Sequence, residues 1–215
     1  MSKVIAFSGS PFKGGNIEKG LGAVLAATGE QTELIRLYEL NMKPCIGCKK
    51  CAAANRCVHH DDLNPILEKI IGAEAIVIGA YPSFSSVNAV TKIFIERLWP
   101  LRHNHMLTKG KVGASVVCGN RPPVDLANYF EHYFKNYLHT RYQGTLDLVG
   151  SAPCLSCGYG EGCEYGYVVL AHGPGTKITP DMFRDFNSDE EAKAKARRLG
   201  EAVGRAVRES AASPD

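Results

Sequence analysis

The run Ala75-Ile-Val-Ile-Gly-Ala80 offers no polar position from which a solvent-facing side could be built. A strand of that kind, here spanning Ala73 to Ala80, must be covered on both faces, and parallel sheets achieve this with crossover helices. The rest of the chain supplies the pattern. Lys3–Gly9, Thr32–Leu37, Lys111–Cys118 and Thr145–Val149 read as further strands. Between and after them lie helical stretches: Ile17–Ala27, Asp62–Ile71 with Asp62 as cap and Pro65 in its first turn, Ala89–Leu98, Asp125–His139, and Asp189–Glu209 capped by Ser188. The tail Ser210–Asp215 is expected to fray. Strand–helix alternation of this kind predicts an α/β fold, a doubly wound five-stranded parallel sheet in the order 2-1-3-4-5. The 215 residues fit one domain without linker or internal repeat. Ligands of such sheets sit outside the carboxyl ends of the strands.

Composition narrows the chemistry. With 45% hydrophobic and 22% charged residues, the chain has a globular balance, not that of a collagen, a coiled coil or a disordered tail. A net charge of +3, without a long basic run, argues against a nucleic-acid partner. No apolar run spans a bilayer, and the N-terminus reads as a strand, not a signal peptide, so a cytoplasmic location is expected. There thiols stay reduced, and the 8 cysteines point to metal or redox chemistry instead of disulfides. Four fall between Cys45 and Cys57, three between Cys154 and Cys163, and Cys118 ends the fourth strand.

Two segments carry the clearest chemistry. Gly9-Ser-Pro-Phe-Lys-Gly-Gly-Asn16 links the first strand to the first helix. Its small residues, Lys13 and the following helix N-terminus suit a phosphate cradle, with Ser10 and Asn16 as side-chain donors; a plain Gly-rich loop is the alternative. It matches neither the dinucleotide nor the nucleoside-triphosphate fingerprint. The second segment, inserted at about 41–60, holds Cys45-x2-Cys48-x2-Cys51-x5-Cys57. Successive x2 spacings let three thiolates wrap three corners of a cubane with the fourth from further along, which favours a [4Fe–4S] cluster over zinc or unligated thiols. Lys49 and Lys50 would either raise the cluster potential and dock an acidic donor or be plainly solvated. His59 and His60 read as surface residues.

These two segments, with Tyr81-Pro-Ser-Phe-Ser-Ser-Val-Asn-Ala-Val-Thr-Lys-Ile-Phe-Ile-Glu-Arg97 after the third strand, give a chain that resembles the iron–sulfur flavoproteins of anaerobes, within the flavodoxin-like NADPH-dependent FMN reductase superfamily. The resemblance implies FMN, its phosphate held by Ser10, Lys13, Gly15, Asn16 and Ile17, where relatives usually carry Thr at the last position. Pro82, Ser83, Phe84, Ser85, Ser86 and Asn88 would surround the flavin, with Cys118, Gly119, Asn120 and Arg121 at its edge. Lys92 and Arg97 would be packing or interface residues. Homodimers or homotetramers are implied, each cluster close to a neighbour's flavin. The expected function is electron transfer from a donor such as ferredoxin through the cluster to FMN, and on to a quinone, dioxygen or peroxide. Alternatives are an NAD(P)H-dependent FMN or quinone reductase, a dehydrogenase of a small cyclic acid, and a non-enzymatic electron carrier or redox sensor.

Cys154-x2-Cys157-x5-Cys163 forms a second Cys-rich loop after the fifth strand. With Cys118 or His172 as a fourth ligand it could build a second metal site, iron–sulfur or zinc. A redox or structural Cys pair, or a Gly-rich loop covering the flavin, are the other readings. The aromatic spacing within Asp125–Tyr142 suggests a core or oligomer face.

Overall fold

The computed structural model describes residues 3–212. Five strands form one parallel sheet in the order β2-β1-β3-β4-β5: β1 (Val4–Ser8), β2 (Thr32–Arg36), β3 (Ala75–Ala80), β4 (Val112–Gly119) and β5 (Arg141–Val149). Val4 lies opposite both Thr32 and Ala75, Ala75 opposite Val112, and Val112 opposite Arg141. β3 is buried at every position, as its uniform apolarity requires. β5 begins four residues before the expected Thr145, because a bulge at Gly144, with φ +120, carries a polar lead-in that the apolar pattern hides.

Helices cover both faces. α1 (Asn16–Thr28) and α6 (Glu190–Ala212) pack on one, burying Leu21, Val24, Leu199 and Val203 against Val77 and Val116. α2 (Leu63–Gly72), α3 (Ala89–Glu96) and α4 (Val124–His132) cover the other, around Ile5, Phe7, Ile76 and Ile78. Among the described residues no helix is long and apolar enough to cross a membrane. α6 approaches α1 through glycines: a Cβ at Gly204 would lie 2.0 Å from the Thr28 carbonyl oxygen, and one at Gly200 2.2 Å from that of Val24.

Several expected boundaries move. Asp189, not Ser188, caps α6, accepting the Ala192 amide at 2.9 Å, while Ser188 closes the preceding turn onto the Asp185 carbonyl. Residues 210–212 continue α6, and 213–215 lie outside the described residues. The helix expected to reach His139 loosens after His132 into a π turn (Tyr133–Tyr137), which leaves Phe130 and Phe134 buried but Tyr137 at the surface, under Arg102. A short helix α5 (Tyr167–His172) and a hairpin (Pro82–Ser83 with Ser86–Val87) had no clear sequence signal.

Between β2 and α2 the cysteine segment runs with only short 3₁₀ turns, so its backbone groups need partners from elsewhere. They are found at its base. Asp62 accepts the Asn41 amide (2.7 Å) and Asp61 the Lys43 amide (3.0 Å). Asp62 is thereby drawn away from the capping role expected of it, and α2 starts without a side-chain cap. Arg97, at the end of α3, grips Asp61 with two bonds of 2.7 and 3.0 Å and the Lys43 carbonyl with one of 2.6 Å. Both side chains are nearly sealed from solvent, at 1% and 2% exposure. Burial works to raise the Asp61 pKa, but the bonds from Arg97, Lys43 and Leu63 prevail and hold it down at about 2.

Two stability measurements test this packing. In an isolated helix Gly204→Ala would gain about 1 kcal/mol; here the added carbon meets a backbone carbonyl, and a net loss of about 1–3 kcal/mol is expected in denaturant titration. Asp61→Asn breaks a buried pair and should cost about 3 kcal/mol at neutral pH. Because the folded pKa lies below the ordinary 3.8, that contribution is full above the ordinary value and is lost as pH falls toward about 2. The stability difference between the two proteins should therefore hold from pH 7 down to the ordinary carboxylate range and close only as the pH falls below 3.8 toward about 2.

Candidate functional site

The carboxyl edge of the sheet gathers three loops. The first leaves β1 through Gly9, where a Cβ would lie 1.9 Å from Thr91 Oγ1, so no side chain fits. Gly14, at φ +69, turns the chain into α1. Ser10 is buried and shapes the turn, accepting the Phe12 amide at 3.1 Å. α1 starts with no side-chain cap, which leaves its first amides without side-chain partners. Lys13 is exposed beside them. Asn16 instead ties the distant segment 184–186: its Nδ2 donates to the Arg184 carbonyl and its Oδ1 accepts the Phe186 amide, both at 3.0 Å. Ile17 is packed over Gly79. Glu18 takes the Gly14 amide at 2.8 Å and pairs with Arg36. Its burial is outweighed by the bonds from Gly14, Arg36 and Ser8, so it stays ionised. An anion bound at this turn would therefore use Lys13 and the first-turn amides and not the Gly14 amide.

The second loop is the hairpin after β3. Its turn residues Phe84 (φ 48) and Ser85 (φ 60) both adopt the left-handed conformation that two-residue hairpins need and that non-glycine residues adopt under strain. Ser83 pairs with Ser86 across it, and the Phe84 ring is fully exposed. Asn88 is buried, donating to the Gly9 carbonyl (2.9 Å) and accepting from Thr91 Oγ1 (3.0 Å), so it locks the hairpin to the first loop. The third loop follows β4. Pro82, Phe84 and Ser85 face Asn120, Arg121 and Val124 across a cavity of about 220 Å³. Gly119 is held close beneath it, since a Cβ there would lie 2.8 Å from the Arg121 carbonyl. Cys118 points to Gly150 and packs with the core around Leu146 and Leu148; burial alone pushes its thiol up to about 11.

A second cavity of about 220 Å³ lies at the other end of α3. Cys45, Cys48, Cys51 and Cys57 line it, with Arg97, Trp99 and His59. Gly47 (φ 65), Lys49 (φ 59) and Asn55 (φ 51) bend the chain around it. The Asn55 amide secures the far side by donating to the carbonyls of Pro100 and His103, both at 2.6 Å. Burial raises the Cys51 pKa, and the charges that Cys57, Cys48 and Cys45 would carry as thiolates raise it further. The four sulfurs are thus within electrostatic reach of one another. Four such thiolates need a shared cationic group, and the donor set fits an iron–sulfur core. Among the described residues no three His, Cys, Asp or Glu side chains gather around a single metal-ion position; these four thiols border a larger space. His59, expected at the surface, is half-buried with Nε2 unpartnered, and His60 is exposed.

The second cysteine loop is looser. Cys154 Sγ accepts the Tyr167 amide at 3.3 Å and Cys157 Sγ that of Tyr159 at 3.4 Å, while Cys157 and Cys163 are exposed. Cys118 is half-buried against the sheet's core, and His172 ends α5. These residues do not form a gathered ligand set. Two features lay beyond sequence reasoning. Arg97 reaches Lys43 of the cysteine segment across 54 residues, and the segment around Arg184 folds over α1 from 168 residues away.

Comparison with known proteins agrees with this arrangement. The family model described as NADPH-dependent FMN reductase matches residues 2–148. An iron–sulfur flavoprotein of Methanocaldococcus jannaschii is 38% identical over 121 residues, covering 54% of this chain and 62% of that protein. One from Methanosarcina thermophila is 33% identical over 120 residues, covering 54% and 63%. The matches thus span less than two thirds of these relatives' own lengths. Among solved structures, RosB with a bound 8-demethyl-8-formylriboflavin-5'-phosphate superposes with a TM-score of 0.69 at 12% identity, covering 100% of this chain and 82% of that one. Megasphaera elsdenii flavodoxin superposes at 0.53 with 14% identity, covering 94% and 98%. With its flavodoxin-like sheet and its match over residues 2–148, the chain belongs to the NADPH-dependent FMN reductase family, a family of flavin-dependent oxidoreductases.

Proposed function

We propose that this chain is an FMN-dependent oxidoreductase that also carries a [4Fe–4S] cluster, drawing electrons from a one-electron donor such as ferredoxin and delivering them to a small acceptor (a quinone, dioxygen or peroxide). The observation that carries the reading is the single cavity walled by Cys45, Cys48, Cys51 and Cys57, on a fold whose family uses FMN. Several relatives named iron–sulfur flavoproteins support it. When bound, the cluster supplies one-electron steps and FMN the means to combine two of them.

The chain's own residues do the positioning. Lys13 and the uncapped amides of α1 suit the FMN phosphate, with Ser10 and Gly15 shaping the turn beneath it. The cavity between the hairpin and Asn120–Arg121 suits the ring system. Asn88 sets the distance between these two loops. Cys154, Cys157 and Cys163 are left to thiol chemistry or to a metal that draws them together on binding. The exposed Phe84 and Phe12, at 104% and 74%, are apolar surface suited to contact with a second copy in a homodimer or homotetramer.

The family model's own description favours a second reading, hydride delivery from NADPH to FMN. Two measurements separate them. Iron, acid-labile sulfide and FMN are determined per chain in protein purified without oxygen; about four irons and one FMN are expected. Cys51→Ser should lose most of the iron and sulfide while keeping FMN. Reduction of bound FMN is then followed with reduced ferredoxin and with NADPH. Fast reduction by ferredoxin that fails in Cys51→Ser supports the leading reading. Iron-free protein reduced by NADPH at an unaltered rate in the variant would establish the second.

A further inference from the structure

We propose that Arg97 tunes the cysteine site: its buried guanidinium donates an N–H···S hydrogen bond to the Cys57 thiolate and sets a fixed positive charge against the cluster, raising the cluster's reduction potential. The inference rests on the cluster reading above and assigns a role that the ion pair with Asp61 alone does not explain.

Three observations place the guanidinium there. The Arg97 side chain is 1% exposed and forms part of the wall of the four-cysteine cavity, whereas Asp61 does not, so the cation stands between the cavity and its own counter-ion. A guanidinium has five N–H donors. The terminal nitrogens of Arg97 reach Asp61 Oδ1, Asp61 Oδ2 and the Lys43 carbonyl, while Nε is buried with no partner. Lastly, Cys57 lines the same cavity as Arg97. The unspent donor of a sealed side chain and a thiolate ligand therefore meet at one wall.

The direction follows from charge. Reduction adds one electron to the cluster and its thiolates. A cation and an N–H donor held in a dry wall favour the more negative state, so the potential rises. The other charges lining the cavity, Glu96 and Lys49, are exposed and screened by water. Arg97 is the lining charge that solvent does not attenuate.

The first test uses the unaltered protein, loaded anaerobically, with ¹⁵N in the arginine guanidinium groups only, and reduced with dithionite. Pulsed EPR of the reduced cluster should show a ¹⁵N hyperfine coupling that disappears in Arg97→Lys. A loaded protein without the coupling, or one that keeps it in Arg97→Lys, overturns the proposal. Redox titration supplies the second test. Removing the cation in Arg97→Gln should make the midpoint more negative, while removing its counter-ion in Asp61→Asn should make it less negative. A loop merely loosened would shift both the same way, and that result, or no shift, counts against tuning. If a variant fails to hold iron, the coupling in the unaltered protein decides. An unaltered protein that holds no iron or sulfide overturns the cluster reading itself, and this inference with it.

Discussion

The Asp61–Arg97 pair is the contact on which the cysteine segment depends. A stretch of some twenty residues with no strand or regular helix has little of its own to hold it in one place, and closing such a loop costs entropy. Leu40, Met42 and Cys57 give it only marginal apolar footing on the core. A buried ion pair is a poor source of stability unless its remaining valences are satisfied. Here they largely are. Asp61 receives two bonds from Arg97 and the amides of Lys43 and Leu63, so one carboxylate joins the start of the segment, the start of α2 and the end of α3. An apolar pair of equal volume could fill the space but would not fix which residue of the segment lies against Arg97. The bonded pair sets that register, and places the guanidinium in the wall of the cavity that Cys57 also lines.

At the opposite end of α3 the constraint is backbone proximity. Gly9, Gly119 and Gly150 each sit where a Cβ would collide, with Thr91, the Arg121 carbonyl and the Cys118 sulfur respectively. These contacts bring the three loops to the edge of the sheet with little room to move. The strain at Phe84 and Ser85 then makes physical sense: a rigid floor over-determines the hairpin, so non-glycine residues can be held in the left-handed region.

The scaffold was readable because its signal is local. Six consecutive apolar residues define β3, and the cysteine spacing points to a shared ligand whatever the surrounding fold. The misplacements have physical causes. Asp189 and Ser188 are both good caps, and the choice shows only in the fold, where Ser188 bonds the Asp185 carbonyl and Asp189 takes the Ala192 amide. The loosened turn after His132 follows from packing: a Cβ at Gly113 would lie 2.6 Å from the Phe134 ring and from Thr140 Oγ1, so helix and strand meet there without slack. Asn16 was readable as a polar residue at a helix start, but not as one spent on Arg184 and Phe186, because those partners come from the other end of the chain. Arg97 read as a packing residue for the same reason, since neither Asp61 nor Cys57 is its neighbour in sequence.

α3 connects these two ends. Its eight residues rise about 12 Å, with the hairpin cavity at its start and the cysteine cavity at its finish. Both places are built on one rigid element: Thr91 meets Gly9 at the first turn, and Arg97 meets Asp61 just past the last. A helix that short cannot bend to bring the two cavities closer, so their separation within one chain is fixed by the fold. If the chain carries both cofactors as proposed, a second copy presenting its hairpin to the first copy's cysteine segment would supply a shorter electron path between them. The fully exposed Phe84 ring, on the strained turn at the rim of the hairpin cavity, is the surface such an arrangement would cover.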